Sequence, residues 1–242
     1  MLNKISEILG SLHYKPLLQL LEDNIKKMES EISELKEKIS CLQAAVEEDK
    51  EIEYWNNKYP KVVRYYLRHE TDGDYQIDVR NFLMVHDENI PVVDGKDDNE
   101  KALNALKWVI NNITYAPDKT VYGYDEYWCF PYQTLKRRKG DCEDMSILLY
   151  CIMAKSGIKE DYIRLTAGDV NYNDKIIGHA YLTYFCKGTS KWVLLDCCFY
   201  PDAETNPNRR EDYKDNRIYG SVWFSWNRFS SWSKGTKVEN YA

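Results

Sequence analysis

The chain has 242 residues, 43% hydrophobic and 30% charged, with a formal net charge of −6. That composition reads as globular, and the acidic balance excludes generic nucleic-acid binding, which relies on basic surface. Lys136, Arg137, Arg138 and Lys139 form the one dense basic run, too short for a nucleic-acid footprint on an acidic chain.

No stretch of about 18 apolar residues occurs, so no transmembrane helix is expected. Lys15 and Pro16 interrupt the N-terminal Met1 to Leu21 segment, which lacks a signal-peptide pattern and points to a cytoplasmic protein. The seven cysteines are odd in number and show no CxxC spacing. They fit neither a disulfide framework nor a zinc site, and free thiols are expected.

Leu18, Leu21, Ile25, Met28, Ile32, Leu35, Ile39, Leu42 and Val46 alternate three- and four-residue steps. This is a heptad seam, and residues 1–53 are expected to form a coiled-coil helix ahead of one globular domain over 54–242. With Leu18 at a, the a positions are mostly β-branched and the d positions mostly Leu, which favours a parallel two-stranded homodimer through residues 18–46. Glu31 at g then faces Lys36 at e of the partner helix. The alternative is a long helix folded back on its own globular part. Asn24 falls at g, so no buried Asn fixes the register.

From Tyr54 to Gly95 the pattern is mixed; residues 62–67 read equally as helix or strand, and Asp72-Gly73-Asp74 signals a turn. Asn99 to Ile113 carries one apolar stripe at helical spacing, with Asn99 as a candidate N-cap. A tyrosine-rich loop follows, Tyr115 to Tyr127. Cys142 to Ser156 has a wide apolar face and predicts a buried helix, with Gly157 suited to the position after it. Strand-like runs then cover Tyr162 to Ala167, Ile176 to Phe185 and Lys191 to Cys197. Helices followed by strands give an α+β fold. The aromatic Trp223, Phe224, Trp226, Phe229 and Trp232 read as core or edge packing, with the rim of a substrate groove as the alternative, and the vicinal Cys197-Cys198 read as packing rather than a redox pair.

Gly140-Asp141-Cys142-Glu143-Asp144 places a cysteine at the first turn of the buried helix. Unsatisfied N–H groups and the helix dipole stabilise a thiolate there, and the Cys142 N–H can serve an oxyanion. A base must be one of four histidines. His13 precedes the coil, and His69 and His86 lie in the unassigned segment. His179 sits in a strand-like run beside Gly178, which leaves room for close approach. Asp196 closes the apolar run Trp192 to Leu195, where a carboxylate is costly unless paired. A hairpin closed around Lys187-Gly188 would set His179 directly opposite Asp196, on one face of the sheet. Such a carboxylate fixes the imidazole tautomer.

These blocks, with Trp128-Cys129-Phe130-Pro131-Tyr132-Gln133-Thr134-Leu135, Gly178-His179-Ala180-Tyr181 and Trp192-Val193-Leu194-Leu195-Asp196, resemble the transglutaminase-like superfamily. The similarity spans roughly Asn99 to Pro201 and is nearest to bacterial transglutaminase-like cysteine proteinases. It implies a papain-like α+β core, with Cys142 as nucleophile, His179 as base and Asp196 as orienting group. It also implies acyl transfer from amides. A cysteine protease or amidase is the first expectation, a cross-linking or deamidating enzyme the second, and a non-catalytic peptide-binding protein the third. Gln133 departs from the pattern, where Glu is frequent. Trp128 and Gln133 are candidates for a second oxyanion donor.

Asp141, Glu143 and Asp144 flank the nucleophile and oppose a thiolate. They read as ordinary acids of a helix N-terminus, or Asp141 and Glu143 offer oxygens to calcium, as in some proteinases the chain resembles. No other cofactor is expected.

Overall fold

In this computed structural model, residues 15–233 are described; His13 and the start of the N-terminal segment lie outside them. The chain divides into two compact units between Lys50 and Glu51. The division falls within helix α1, Lys15–Lys58. In the first unit the heptad stripe is uncovered: Met28, Ile32, Leu35, Ile39, Leu42 and Val46 are all exposed. Among the described residues, no helix is long and apolar enough to cross a membrane.

The second unit opens with a hairpin, β1 (Tyr65–Glu70) and β2 (Gly73–Asp78). Glu70 pairs with Gly73, so Thr71 and Asp72 form the turn that the Asp-Gly signal anticipated. Of residues 62–67, which read either way from sequence, only Tyr65 to Leu67 are strand. Helix α2 runs Asp98–Asn112, and its cap is Asp97 rather than Asn99. The Asp97 carboxylate accepts the Glu100 N–H at 2.8 Å. Asn99 is used instead to accept the Tyr184 hydroxyl at 2.9 Å.

The short strand β3 (Thr114–Tyr115), the single turn α3 (Asp118–Val121) and helix α4 (Pro131–Arg137) lead to β4 (Lys139–Gly140). Strands β3 and β4 pair in parallel, Tyr115 beside Gly140. Helix α5, Cys142–Lys155, follows at once and is buried from Glu143 to Met153. Gly157, just past its end, has φ +93°.

The remaining strands are β5 (Ile163–Tyr172), β6 (Lys175–Cys186), β7 (Lys191–Leu195), β8 (Tyr219–Trp226) and β9 (Ser231–Ser233). They form one antiparallel sheet in the order β7-β6-β5-β8-β9. Strand β5 is longer than its apolar run suggested. Asn173 and Asp174, at φ 52° and 61°, make the left-handed two-residue turn that carries it into β6. Helix α5 and the stripe Ala102, Ala105, Leu106 and Val109 of α2 share one core with the sheet. This is the α+β arrangement expected from the order of elements.

Candidate active site

Gly140, just before α5, cannot carry a side chain. A Cβ there would stand 2.6 Å from the Asp144 Cβ. The glycine lets the first turn of α5 close tightly against β4, with Cys142 at its start. One turn on, the Ser146 hydroxyl donates to the Ala180 carbonyl at 3.1 Å. That bond ties the helix to β6 at the residue next to His179, so the cysteine and the histidine are carried by two elements fastened together.

The β6–β7 hairpin differs from expectation in register. Cys186 pairs with Lys191 and Leu182 with Leu195, so the loop is residues 187–190 rather than a turn closed at Lys187-Gly188. Extending that register puts Asp196 opposite Tyr181, two residues from His179. An even slip keeps a side chain on the same face, whereas a slip of one would have reversed it. The contact survives as a diagonal one: His179 Nε2 meets Asp196 Oδ2 at 2.8 Å, both side chains buried. Strand β7 also stops at Leu195, short of the expected Cys197. Asp196 Oδ1 accepts the Cys198 N–H at 2.7 Å, an Asx turn that takes the backbone out of the ladder.

His179 Nδ1 is buried without a hydrogen-bond partner. His179 and Cys142 line the same cavity of about 390 Å³, together with Tyr66, Tyr115, Trp128 and Trp223. Gly178 is occupied in a specific sense: a Cβ would meet the Trp223 indole at 2.5 Å, so Trp223 fills the space its side chain would take. Phe199 packs edge-on against the His179 ring at 4.6 Å and shields it from solvent.

Residues 85–201 match the protein family described as "Transglutaminase-like domain". The chain carries a transglutaminase-like domain. No curated protein matches the sequence. Among solved structures, EGTA-treated LapG of Legionella pneumophila is similar at 18% identity and TM-score 0.46, over 64% of this chain and 74% of that one. The calcium-bound form of the same protein is similar at 21% identity and TM-score 0.43, over 57% and 71%.

Within the transglutaminase-like domain the expected histidine and thiol line the cavity, and Asp196, which does not line it, contacts the histidine; the other described histidines fall elsewhere. His69 is exposed on β1, against Asp74 at 2.8 Å, and His86 contacts Arg228 at 3.0 Å. Trp128 lines the cavity, but its indole N–H donates to Glu126 at 2.6 Å. Gln133 does not line it. Its side-chain oxygen accepts the Phe130 N–H at 2.9 Å, closing the first turn of α4. Among the described residues all seven cysteines are free thiols.

The electrostatics beside Cys142 are unusual. Asp118, Asp141 and Asp144 bring carboxylate oxygens within 4.8 Å of one another, and Asp141, Cys142 and Glu143 form a second such group. Asp118 Oδ1, Asp141 Oδ1, Glu143 Oε1 and Asp144 Oδ2 are all buried without a hydrogen-bond partner. The other Asp144 oxygen accepts the Cys129 N–H at 2.7 Å, and Asp118 Oδ2 accepts the Tyr127 N–H. Burial, then the negative charge of Asp141, lifts Asp118 to about 8. Burial and neighbouring carboxylates likewise push Glu143 and Asp144 far above the carboxylate range. Burial raises Cys142 too, with Asp141 adding to it, against a hydrogen bond from the Ala180 backbone. The thiol donates to Glu143 Oε2 at 3.3 Å.

Burial alone would raise Asp196 as well, but the hydrogen bonds from His179, Tyr219 and the Cys198 backbone hold it below the usual carboxylate range. It is an ionised acceptor in a buried setting. Sequence reasoning missed Asp118 and Tyr219, and it singled out Trp223 only as one of an aromatic cluster. Asp118 opens the single turn α3 in a stretch with no motif, and Tyr219 was hidden among twenty tyrosines.

Proposed function

We propose that the domain is a thiol acyl-transfer enzyme acting on amide bonds, foremost a cysteine protease or amidase. Cys142 is its nucleophile, His179 its base and Asp196 the group that orients the base. The observation that carries the reading is the state of His179. Its Nε2 is held by a buried carboxylate, its Nδ1 has no partner, and it lines one cavity with the thiol. A histidine serving only the core would have both nitrogens satisfied.

In this mechanism His179 Nδ1 takes the Cys142 proton and the thiolate attacks an amide carbonyl. The oxyanion is met by the Cys142 N–H at the start of α5. His179 returns its proton to the departing amine, leaving a thioester. Water, losing its proton to His179, then releases the acid; an amine in place of water gives a cross-link. Asp196, kept ionised, stabilises the imidazolium that forms between these steps.

The acids beside Cys142 fit a hard divalent cation such as calcium. Asp118, Asp141 and Asp144 would hold it, because theirs is the all-oxygen group, and their orphaned oxygens are the fit. Glu143, which the sequence paired with Asp141 for this role, is grouped instead with the thiol. A bound cation supplies positive charge that offsets the carboxylates opposing the thiolate. The uncovered heptad stripe of α1 fits a second copy of the chain in a parallel coil.

The test is mass spectrometry of a proteome incubated with the protein and with Cys142→Ala. New N-termini that appear only with the unsubstituted protein are expected. Ammonia release or cross-linked peptides in their place would assign deamidation or transamidation. No difference between the two incubations would leave a binding domain and defeat the proposal.

A further inference from the structure

Asp196 carries more than the histidine. Its Oδ2 accepts from His179 Nε2 at 2.8 Å and also from the Tyr219 hydroxyl at 2.6 Å, while Oδ1 accepts the Cys198 N–H at 2.7 Å. Tyr219 comes from a distant part of the sheet. It is the first residue of β8, which pairs with β5 and not with β6 or β7, the strands that carry the other two groups. The β5–β8 ladder slips on both sides of Gly168, which is the residue paired with His179 on the other side of β5. The tyrosine ring is itself fixed, edge-on to Tyr181 at 4.7 Å and to Tyr200 at 6.0 Å.

We propose that Tyr219 is a positioning residue of the site, locking the Asp196 carboxylate, and through it the His179 ring, in one orientation. The inference rests on the triad reading above and adds a member to it. A carboxylate held only by its histidine can twist about its Cβ–Cγ bond and carry the imidazole with it. Three donors from separate segments leave Asp196 one orientation. The hydroxyl can act in only one direction. Burial and the Asp196 charge keep it protonated, so it donates to the carboxylate and does not compete with it for the histidine proton. Because Tyr219 and His179 share Oδ2, the hydroxyl also draws charge from the atom that faces the imidazole. Its presence moderates how strongly Asp196 pulls on the Nε2 proton.

Tyr219→Phe separates this role from packing, since it removes the hydroxyl and keeps the ring. Two readouts are taken on the full chain. The first is kcat and KM on a substrate from the proteome experiment, where kcat falls about tenfold with KM unchanged, the scale of one hydrogen bond to a charged group. The second is the proton resonance of His179 Nε2–H by nitrogen-15 NMR, assigned with His179→Ala. It moves downfield when Oδ2 has the histidine as its sole donor. A resonance that stays in place overturns the proposal, whatever happens to the rate. A resonance that moves in a protein that turns over no amide keeps Tyr219 as the positioning group and removes the enzymatic reading instead.

Discussion

At the scale of single residues, the acids at the start of α5 set a pH dependence whose sign can be worked out. Asp118 rises from an ordinary 3.8 to about 8, with burial as the largest cause. Between those values the folded chain keeps a proton that the unfolded chain gives up. Stability is therefore full below pH 4 on this account and declines as pH rises toward 8. Glu143 and Asp144 shift in the same direction. With a chelator present, the melting temperature should fall from pH 5 to pH 8, and calcium should raise it more at pH 8 than at pH 5. A melting temperature that is flat or rising across that window, and indifferent to calcium at both ends, would contradict the cation site. Cys142, His179 and Asp196 were legible in the sequence because each broke a local pattern. One was a cysteine at a helix start, one a histidine in an apolar strand, and one a carboxylate at the end of an apolar strand. Asp118 and Tyr219 broke none, since an acid opening a helical turn and a tyrosine opening a strand are ordinary, and only tertiary packing gives them a task.

Among the elements, periodicity identified α2, α5 and the heptad helix, since an apolar stripe is a property of the sequence itself. Boundaries and register were less legible because neighbours decide them. Asp97 outcompeted Asn99 as a cap once Asn99 was drawn to Tyr184. The β6–β7 loop took four residues rather than closing at Lys187-Gly188. The His179–Asp196 pairing outlasted that difference because strand faces repeat every two residues. The heptad helix carries its own test. Its stripe is exposed at Ile32 and Leu35, 51% and 56%, in the single chain. Sedimentation equilibrium should give a dimer for the full chain and a monomer for the Ile32→Glu, Leu35→Glu double variant, with the transglutaminase-like domain still folded. A monomeric parent chain at micromolar concentration would remove the second copy as the partner of this face.

For the whole molecule, the site exists because distant stretches are joined by few, specific contacts. The tight turn at Gly140 seats Cys142, and Ser146 fastens α5 to β6 beside His179. The β6–β7 hairpin returns Asp196 to the same place, and β8 supplies Tyr219 from across the sheet. These contacts position the groups; whether they act as one unit is a question of chemistry at sulfur. Peptide-resolved mass spectrometry of iodoacetamide labelling follows Cys142 apart from the other six thiols. In calcium at neutral pH, replacing His179 by Ala should slow alkylation of Cys142 by at least about tenfold, because the imidazole takes the thiol proton. Equal labelling rates in the two proteins would show a sulfur that does not sense the histidine, and the proposed mechanism would be wrong.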